Sequence, residues 1–225
     1  CIEQAMPGVV PAEGTSNLWT IKLGSGHGMT VRGTGQATPF MVNSFHSGGA
    51  GARPKQDGLS ATPYPSGVRN VPVEATEAIT PIVVWRKEFR QDSGGPGRQR
   101  GGLGQIMEIE NREGAPFGIF ATFERVRHPP RGRAGGGNGA NGRVRLGSGP
   151  DLRNKGFQTI PAGDRLIIEM PGGGGIGAAH ERDPEAVALD VKAGLVSPDA
   201  ARDVYGVVLD AAGAVDKAAT AALRA

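Results

Sequence analysis

The residues best suited to chemistry lie in a glycine-rich stretch, DSGGPGRQRGGLG, at positions 92–104. It combines an acid, Asp92, a hydroxyl, Ser93, and two guanidinium groups, Arg98 and Arg100. Arginine binds carboxylate and phosphate groups through paired hydrogen bonds, so these four side chains are candidates for substrate binding. The same stretch could equally be a glycine-rich hairpin whose arginines contact a partner subunit, and the residue types leave both interpretations open.

Three further side chains are candidates for acid–base catalysis: His46, Glu74 and Glu77. His46 ends a predicted strand, and histidine is the side chain that most often moves protons in enzymes. The glutamates lie in PVEATEAITP, where Pro72 and Pro81 favour an extended chain. An odd spacing along a strand puts the two carboxylates on opposite faces, so one glutamate is expected to act without the other.

Cys1 is the only cysteine, which excludes a disulfide framework and a cysteine-rich zinc module. This usage fits a reducing compartment, so a cytoplasmic protein is expected. An N-terminal cysteine can be a nucleophile whose own amine serves as base. Because CIEQAMPG has the pattern of a helix that runs into a loop, a processing or domain boundary is the favoured interpretation.

The four histidines are scattered without an H-E-x-x-H motif, so no metal site within this chain is predicted.

The densest glycine run is PGGGGIGAAHERDP, at positions 171–184. Four consecutive glycines indicate either positive φ angles or close approach of another backbone. Gly172, Gly174 and Gly177 match the G-x-G-x-x-G pattern of dinucleotide-binding turns. In such turns a helix opens on the glycines, whereas here the helix signal, Asp183-Pro184, comes six residues later. Nucleotide binding by this chain is therefore not predicted.

Residues 125–155 form a basic excursion with seven arginines, one lysine and a single acid. No aromatic residue lies between Phe123 and Phe157, whereas single-stranded nucleic acids are usually bound by stacking on aromatic rings. We therefore expect no nucleic-acid partner. The segment is expected to be a solvated loop, or an arm that docks on an acidic partner.

No apolar run is long enough to span a bilayer, so no membrane association is expected either.

Alternating apolar and polar residues predict two strands within 17–31, joined by the turn GSGHG, and further strands at 39–46, 79–90, 105–110, 118–126, 143–146 and 165–170. The strands at 105–110 and 118–126 are predicted to pair with each other, and the loop at 47–70 is expected to be functional or an interface arm. Helix signals follow at Asp183-Pro184 and Ser197-Pro198, with an alanine-rich helix at 214–224. The fold class expected is α+β: a β-rich Gly-loop body of mostly antiparallel strands (1–182) with a short helical C-terminal segment (183–225).

Three stretches, in this order, resemble the latter part of the hydantoinase B family: GGAGARPKQDGLSATPYPSGVRNVPVEATE, DSGGPGRQRGGLG and PGGGGIGAAHERDPEAVALDVKAGLVSPDAARDVYGVVL. The resemblance runs from about Pro7 to Leu209. This family comprises B subunits of ATP-dependent N-methylhydantoinases and is homologous to the C-terminal half of 5-oxoprolinase. Subunits of acetone and acetophenone carboxylases are related to it.

The resemblance implies a multi-subunit enzyme in which an A-type partner binds and cleaves ATP and the substrate carbonyl is activated, then hydrolysed or carboxylated. ATP with magnesium and a divalent metal are expected elsewhere in the complex, and no cofactor is expected on this chain. The body is expected to continue a missing N-terminal region, and this chain is expected to be inactive alone. Gly172, Gly173, Gly174 and Gly175 are then expected to form a tight turn at an interface, against that region or a partner.

Three functions remain open from the sequence. The leading interpretation is a component of an ATP-dependent hydrolase that acts on C–N bonds of a cyclic amide such as a hydantoin or oxoproline. The runner-up is a subunit of an ATP-dependent ketone carboxylase. A non-catalytic structural subunit, whose arginine–glycine loops only hold a complex together, is the third.

Overall fold

The structure is a computed structural model that describes residues 2–6, 8–15, 19–25, 38–62 and 71–225. Its strands are β1 (Trp19–Ser25), β2 (Phe40–His46), β3 (Ile82–Phe89), β4 (Gln105–Asn111), β5 (Phe117–Thr122), β6 (Arg143–Leu146), β7 (Lys155–Ile160) and β8 (Leu166–Glu169). Its helices are α1 (Ile2–Ala5), α2 (Val73–Ile79), α3 (Pro184–Lys192), α4 (Pro198–Asp203) and α5 (Lys217–Arg224), with one 3₁₀ turn at Ala179–Glu181. The predicted α+β class is confirmed.

The strands form two four-stranded antiparallel sheets, in the orders β2-β1-β5-β7 and β3-β4-β8-β6. Their inner faces supply one apolar core, in which Trp19 stacks on Phe123 with ring centroids 4.4 Å apart. Each fully buried isoleucine or leucine in such a core contributes about 1.5–3 kcal/mol to folding. This core is what holds the loops between the strands in place.

The predicted pairing of residues 105–110 with 118–126 is wrong. β4 pairs with β3 and β8, whereas β5 pairs with β1 and β7 in the other sheet. Alternation shows that a strand has one buried face, but it says nothing about which strand lies beside it. β7 was not predicted at all, because its sequence, KGFQTI, begins with a lysine and a glycine.

The segment around Glu74 and Glu77 was expected to be extended and is instead the helix α2. Pro72 occupies the N-cap position and Pro81 lies two residues beyond the last helical residue. Proline is compatible with both places, since it needs no N–H donor at a helix start and cannot continue a helix past its end. A pair of bracketing prolines therefore delimits a helix as well as it delimits an extended segment.

The C-terminal helices begin where the sequence predicted. Asp183 accepts a hydrogen bond from the Glu185 N–H at the start of α3, and Ser197 accepts one from the Ala200 N–H at the start of α4. The predicted stop at Gly194 is confirmed by its left-handed φ of 71°. These helices enclose a small second core of Val187, Val196, Ala201, Tyr205 and Val207.

None of the helices in the described ranges has the length and apolar composition needed to cross a bilayer.

Candidate functional site

The glycine-rich loops pack together into one element, which we call the glycine bundle: residues 48–52, 93–104, 131–142 and 171–177. Gly172 to Gly175 are buried, and none of the four has a positive φ. A methyl group on Gly172 would overlap the carbonyl oxygen of Ser93, and one on Gly173 would overlap that of Ala50. The glycines are therefore needed for close backbone approach, not for a tight turn.

The backbones against these four glycines belong to this chain. The sequence hypothesis assigned them to a partner or to a preceding region, whereas the contacts described are with segments around residues 50, 93, 96 and 131. The loop at 47–70, expected to be functional or an interface arm, packs into the bundle over residues 48–52, and its residues 63–70 lie outside the described part of the chain.

The glycine N–H groups are committed to hydrogen bonds inside the bundle. Gly173 N donates to Gly102 O at 2.9 Å, Gly174 N to Glu13 O at 2.8 Å and Gly177 N to Arg133 O at 3.1 Å. A phosphate-binding turn must leave such N–H groups free to point at the ligand. The G-x-G-x-x-G match at 172–177 therefore does not fit a nucleotide, and we derive no step through ATP on this chain.

The basic excursion is anchored at Glu13, although four of its seven arginines are exposed to solvent. Glu13 accepts hydrogen bonds from Arg125 Nη1 at 2.9 Å and from Arg131 Nε at 2.8 Å. The hydrogen bond from Arg131, which outweighs the effect of burial, lowers the pKa of Glu13 to about 2. The acidic partner proposed for this arm is thus matched by a carboxylate of the same chain.

Asp92 and Ser93 both serve the fold. The Ser93 hydroxyl is buried, donates to Arg90 O at 2.5 Å and accepts from Gly104 N at 2.9 Å. Asp92 has a left-handed φ of 58° and accepts a hydrogen bond from Ser197 N at 2.8 Å. An unfavourable φ at a non-glycine residue persists only where surrounding contacts hold it. These two side chains fix the loop and tie it to the start of α4.

Arg98 and Arg100 face carboxylates of this chain. Arg98 pairs with Glu181 at 3.6 Å, and both side chains are about half exposed. Arg100 is buried and donates through Nε to Asp190 at 3.1 Å and through Nη1 to Gly101 O at 2.9 Å. The guanidinium group predicted to hold a substrate carboxylate thus already holds an internal one.

Four buried or half-buried charges meet at this point, and we call them the ion cluster: Asp57, Arg100, Arg182 and Asp190. Arg182 donates to both oxygens of Asp57, at 2.8 and 2.7 Å, and to Asp190 at 2.8 Å. Burial by itself would raise the pKa of Asp57, but its hydrogen bonds and charge interactions with Arg182 and Arg100 outweigh burial and hold that pKa below its usual range. Burial also raises the pKa of the neighbouring Tyr205 to about 12. The cluster is internally neutral, so it offers no surplus charge to a ligand.

A second polar group lies at the end of β2, and we call it the histidine cluster: Ser44 and His46, which are in contact, together with Lys87 and Glu74, which are linked to them through charge interactions. The Ser44 hydroxyl and His46 Nε2 are 2.6 Å apart, and His46 Nδ1 has no hydrogen-bond partner among the described residues. Burial, with a smaller effect from the charge of Lys87, lowers the pKa of His46 to about 3. His46 is therefore neutral near pH 7, and with so low a pKa it is a weak proton acceptor that is better suited to hydrogen bonding.

Lys87 links the two catalytic candidates His46 and Glu74. Burial lowers the pKa of Lys87, and the charge of Glu74 acts in the opposite direction. The ammonium group donates to Val71 O at 3.2 Å, which directs it toward the segment that precedes α2. Sequence reasoning missed Lys87, although it lies within the predicted strand at 79–90, because a lysine in an alternating strand is normally a solvent-facing residue.

Glu77 is separated from this group. Its Oε1 accepts a hydrogen bond from Val84 N at 2.8 Å, which anchors α2 to β3. The two glutamates thus have different surroundings, although they lie on one helix and not on opposite faces of a strand. Cys1 lies outside the described residues. In the described part of the chain, no group of three or more metal-ligating side chains comes together.

A cleft of 590 Å³ separates the end of β3 from the turn between α3 and α4. It is lined by Arg86, Glu88, Phe89, Arg90, Gln91, Ile106, Ala193, Gly194 and Leu195. Arg90 is not free to bind a ligand, since it donates to Asn141 O at 2.6 Å and pairs with Glu169 at 3.3 Å.

Known proteins share this fold and much of this sequence. A model of the family described as Hydantoinase B/oxoprolinase matches residues 1–179. Caprolactamase subunit beta from Pseudomonas jessenii is 36% identical over 163 residues, which make up 68% of this chain and 28% of that subunit.

Two solved structures superpose on nearly the whole chain. The crystal structure of ATP-dependent caprolactamase from Pseudomonas jessenii has a TM-score of 0.81 at 32% identity, over 99% of this chain and 40% of its own. A nucleotide-free structure of acetone carboxylase has a TM-score of 0.73 at 26% identity, over 96% of this chain and 33% of its own. This chain spans less than half the length of each of these relatives. The family model covers most of its residues, and the chain therefore belongs to the hydantoinase B/oxoprolinase family.

Proposed function

We propose that this chain is a B-type component of an ATP-dependent enzyme that hydrolyses the C–N bond of a cyclic amide. The observation that carries the proposal is the match to ATP-dependent caprolactamase, whose fold covers 99% of this chain with a TM-score of 0.81. Caprolactam is a cyclic amide, and the family description also includes oxoprolinases. In this proposal an A-type chain binds ATP, because the glycine N–H groups of this chain are committed to its own backbone.

Within this chain we assign the histidine cluster to the substrate side. A neutral imidazole can hold a substrate amide through a hydrogen bond, while an ammonium group stabilises negative charge that develops on the substrate. His46 and Lys87 supply these groups, burial strengthens their interactions, and the exposed carboxylate of Glu74 acts on the charge of Lys87. Asp92, Ser93 and Arg100 are assigned to holding the glycine bundle, because each already has partners within the chain.

The test uses the intact complex purified with its A-type chain. Release of ADP is measured with caprolactam, hydantoin and 5-oxoproline in turn, and at least one of them is expected to stimulate it. The variants His46→Gln and Lys87→Met are expected to assemble normally and to lower this stimulated rate about a hundredfold. A complex that turns over no cyclic amide would contradict the proposed activity. Full activity in both variants would instead remove the histidine cluster from the substrate side.

A ketone carboxylase is the second candidate, supported by the acetone carboxylase structure that covers 96% of this chain. The same complex separates the two activities. Stimulation of ATP hydrolysis by acetone together with bicarbonate, but by none of the cyclic amides, would favour the carboxylase.

A further inference from the structure

We propose that residues 183–225 form a separable unit, the C-terminal unit, which the ion cluster holds on the β-rich body. In this proposal the buried charges, and not apolar packing, decide whether the unit stays attached. The proposal concerns this chain alone and does not depend on the activity proposed above.

The C-terminal unit has an apolar core of its own. Its buried residues, from Val187 to Val207, contact one another and form a cluster distinct from the core between the two sheets, whose members end at Met170. Among the described residues of the body, only Ala179, which is partly buried, joins this second cluster. Residues that share a core unfold together, whereas separate cores can unfold at different free energies.

The contacts that cross between the two parts are polar, and Asp190 is at their centre. Its carboxylate, on the buried side of α3, accepts from Arg100 at 3.1 Å and from Arg182 at 2.8 Å. Arg182 is held in turn by Asp57, and its carbonyl oxygen accepts from Arg224 of α5 at 2.9 Å. The ion cluster thus connects the body to both the first and the last helix of the unit.

A second set of polar contacts lies beside the ion cluster. Asp92 accepts from Ser197 N at 2.8 Å and donates through its own N–H to Leu195 O at 3.1 Å. Gln91 Nε2 donates to Gly194 O at 3.2 Å. The cleft of 590 Å³ lies next to these contacts and is lined from both parts, so apolar side chains do not fill this side of the boundary.

The energetics of buried ion pairs are the reason that the ion cluster is expected to decide whether the C-terminal unit stays attached. Removing one charge of such a group leaves its partners buried and unpaired, which costs far more than losing a surface ion pair. Without the Asp190 charge, Arg100 and Arg182 would keep one carboxylate, that of Asp57, for two guanidinium groups. Detaching the unit lets water solvate both arginines, while the core between the sheets is left intact.

Amide hydrogen exchange on the full 225-residue chain tests the proposal. In Asp190→Asn, amides of α3 and α4 are expected to exchange about a hundredfold faster than in the wild type, while those of β1, β5 and β8 keep their protection. Asp57→Asn should act in the same direction through Arg182. Asp203→Asn is the matched control: it removes the same charge from the same unit, but Asp203 is exposed at the end of α4, so wild-type exchange is expected.

Two outcomes would overturn the proposal. Equal acceleration in the strands and in α3 and α4 would show that the chain unfolds as one cooperative body. Unchanged exchange in both Asp190→Asn and Asp57→Asn would show that the ion cluster does not hold the unit. Protected amides in the strands show that a variant is folded. A variant that cannot fold would lose protection in the strands as well as in α3 and α4, which is the first of these outcomes.

Discussion

At the scale of single residues, the arginines and acids of the 92–104 motif have internal partners, and the catalytic candidate with an unpaired atom is His46. Its Nε2 is 2.6 Å from the Ser44 hydroxyl, its Nδ1 lacks a partner among the described residues, and burial holds its pKa at about 3. A buried polar atom without a partner is costly, so it is a reason to look for a function at that position.

The depressed pKa of His46 predicts a specific pH dependence of stability. In the unfolded chain this histidine protonates near its ordinary pKa of 6.5, and in the folded chain only near 3. Its neutral form therefore contributes stability above pH 6.5 that is lost as the pH falls toward 3. Relative to His46→Gln, the wild type is expected to lose about 1.4 kcal/mol of unfolding free energy per pH unit below that value.

Urea unfolding of both proteins, at several pH values between about 7.5 and 5, measures this difference. His128→Gln provides the control, because His128 is exposed and its replacement should leave the pH dependence of the wild type unchanged. Parallel curves for the wild type and His46→Gln would contradict the buried, neutral state of His46.

The two glutamates predicted as catalytic candidates are expected to contribute differently to the free energy of unfolding. Glu77→Ala leaves Val84 N without its 2.8 Å acceptor, which is expected to cost about 1–3 kcal/mol of unfolding free energy. Glu74→Ala removes an exposed side chain and should stay within about 0.5 kcal/mol of the wild type. Denaturant unfolding of the two variants gives both values, and equal losses would refute the division of roles.

At the scale of elements, the glycine bundle decides how the loops are arranged. Four segments far apart in sequence bring their backbones so close that side chains would not fit between them. Their N–H and C=O groups satisfy one another, which is the requirement for burying irregular backbone. The motif 92–104 is thereby held in place by backbone hydrogen bonds and close packing, although it contains no regular secondary structure.

Replacement of one bundle glycine should be far more damaging than replacement of a turn glycine. In Gly173→Ala the new methyl group would overlap Ala50 O, and because backbone cannot move aside cheaply, a loss of at least about 3 kcal/mol is expected. Gly114→Ala is the control: this glycine has a φ of 64° and open space, so only the left-handed backbone should cost about 1–2 kcal/mol. Chemical denaturation ranks the two, and a smaller loss for Gly173→Ala would contradict the close approach.

At the scale of the whole molecule, the chain combines a large β-rich body with a small helical unit that has its own apolar core. The family model ends at residue 179, close to the boundary between them, whereas the caprolactamase fold extends over 99% of the chain. The motif that looked like a substrate-binding loop lies at this boundary. Asp92 and Arg100 of the motif, and Gln91 just before it, contact residues 190–197, so this segment joins the two parts.

The sequence by itself determined the local features. The helix starts at Asp183 and Ser197, the stop at Gly194 and most strands follow from capping residues and alternation, which depend on neighbours a few positions away. The three ordered motifs were also sufficient to identify the family. The helix α2 was missed because a proline on either side suits a helix and an extended chain alike.

Only the tertiary structure decided which distant groups meet. Strand partners, the backbones that press on Gly172 and Gly173, and the carboxylate that binds Arg100 all come from positions tens of residues away. The charge interaction between Lys87 and His46 likewise joins residues that are far apart in sequence. The pattern of a single segment carries no information about such contacts. They depend on how the two sheets and the glycine bundle pack against one another.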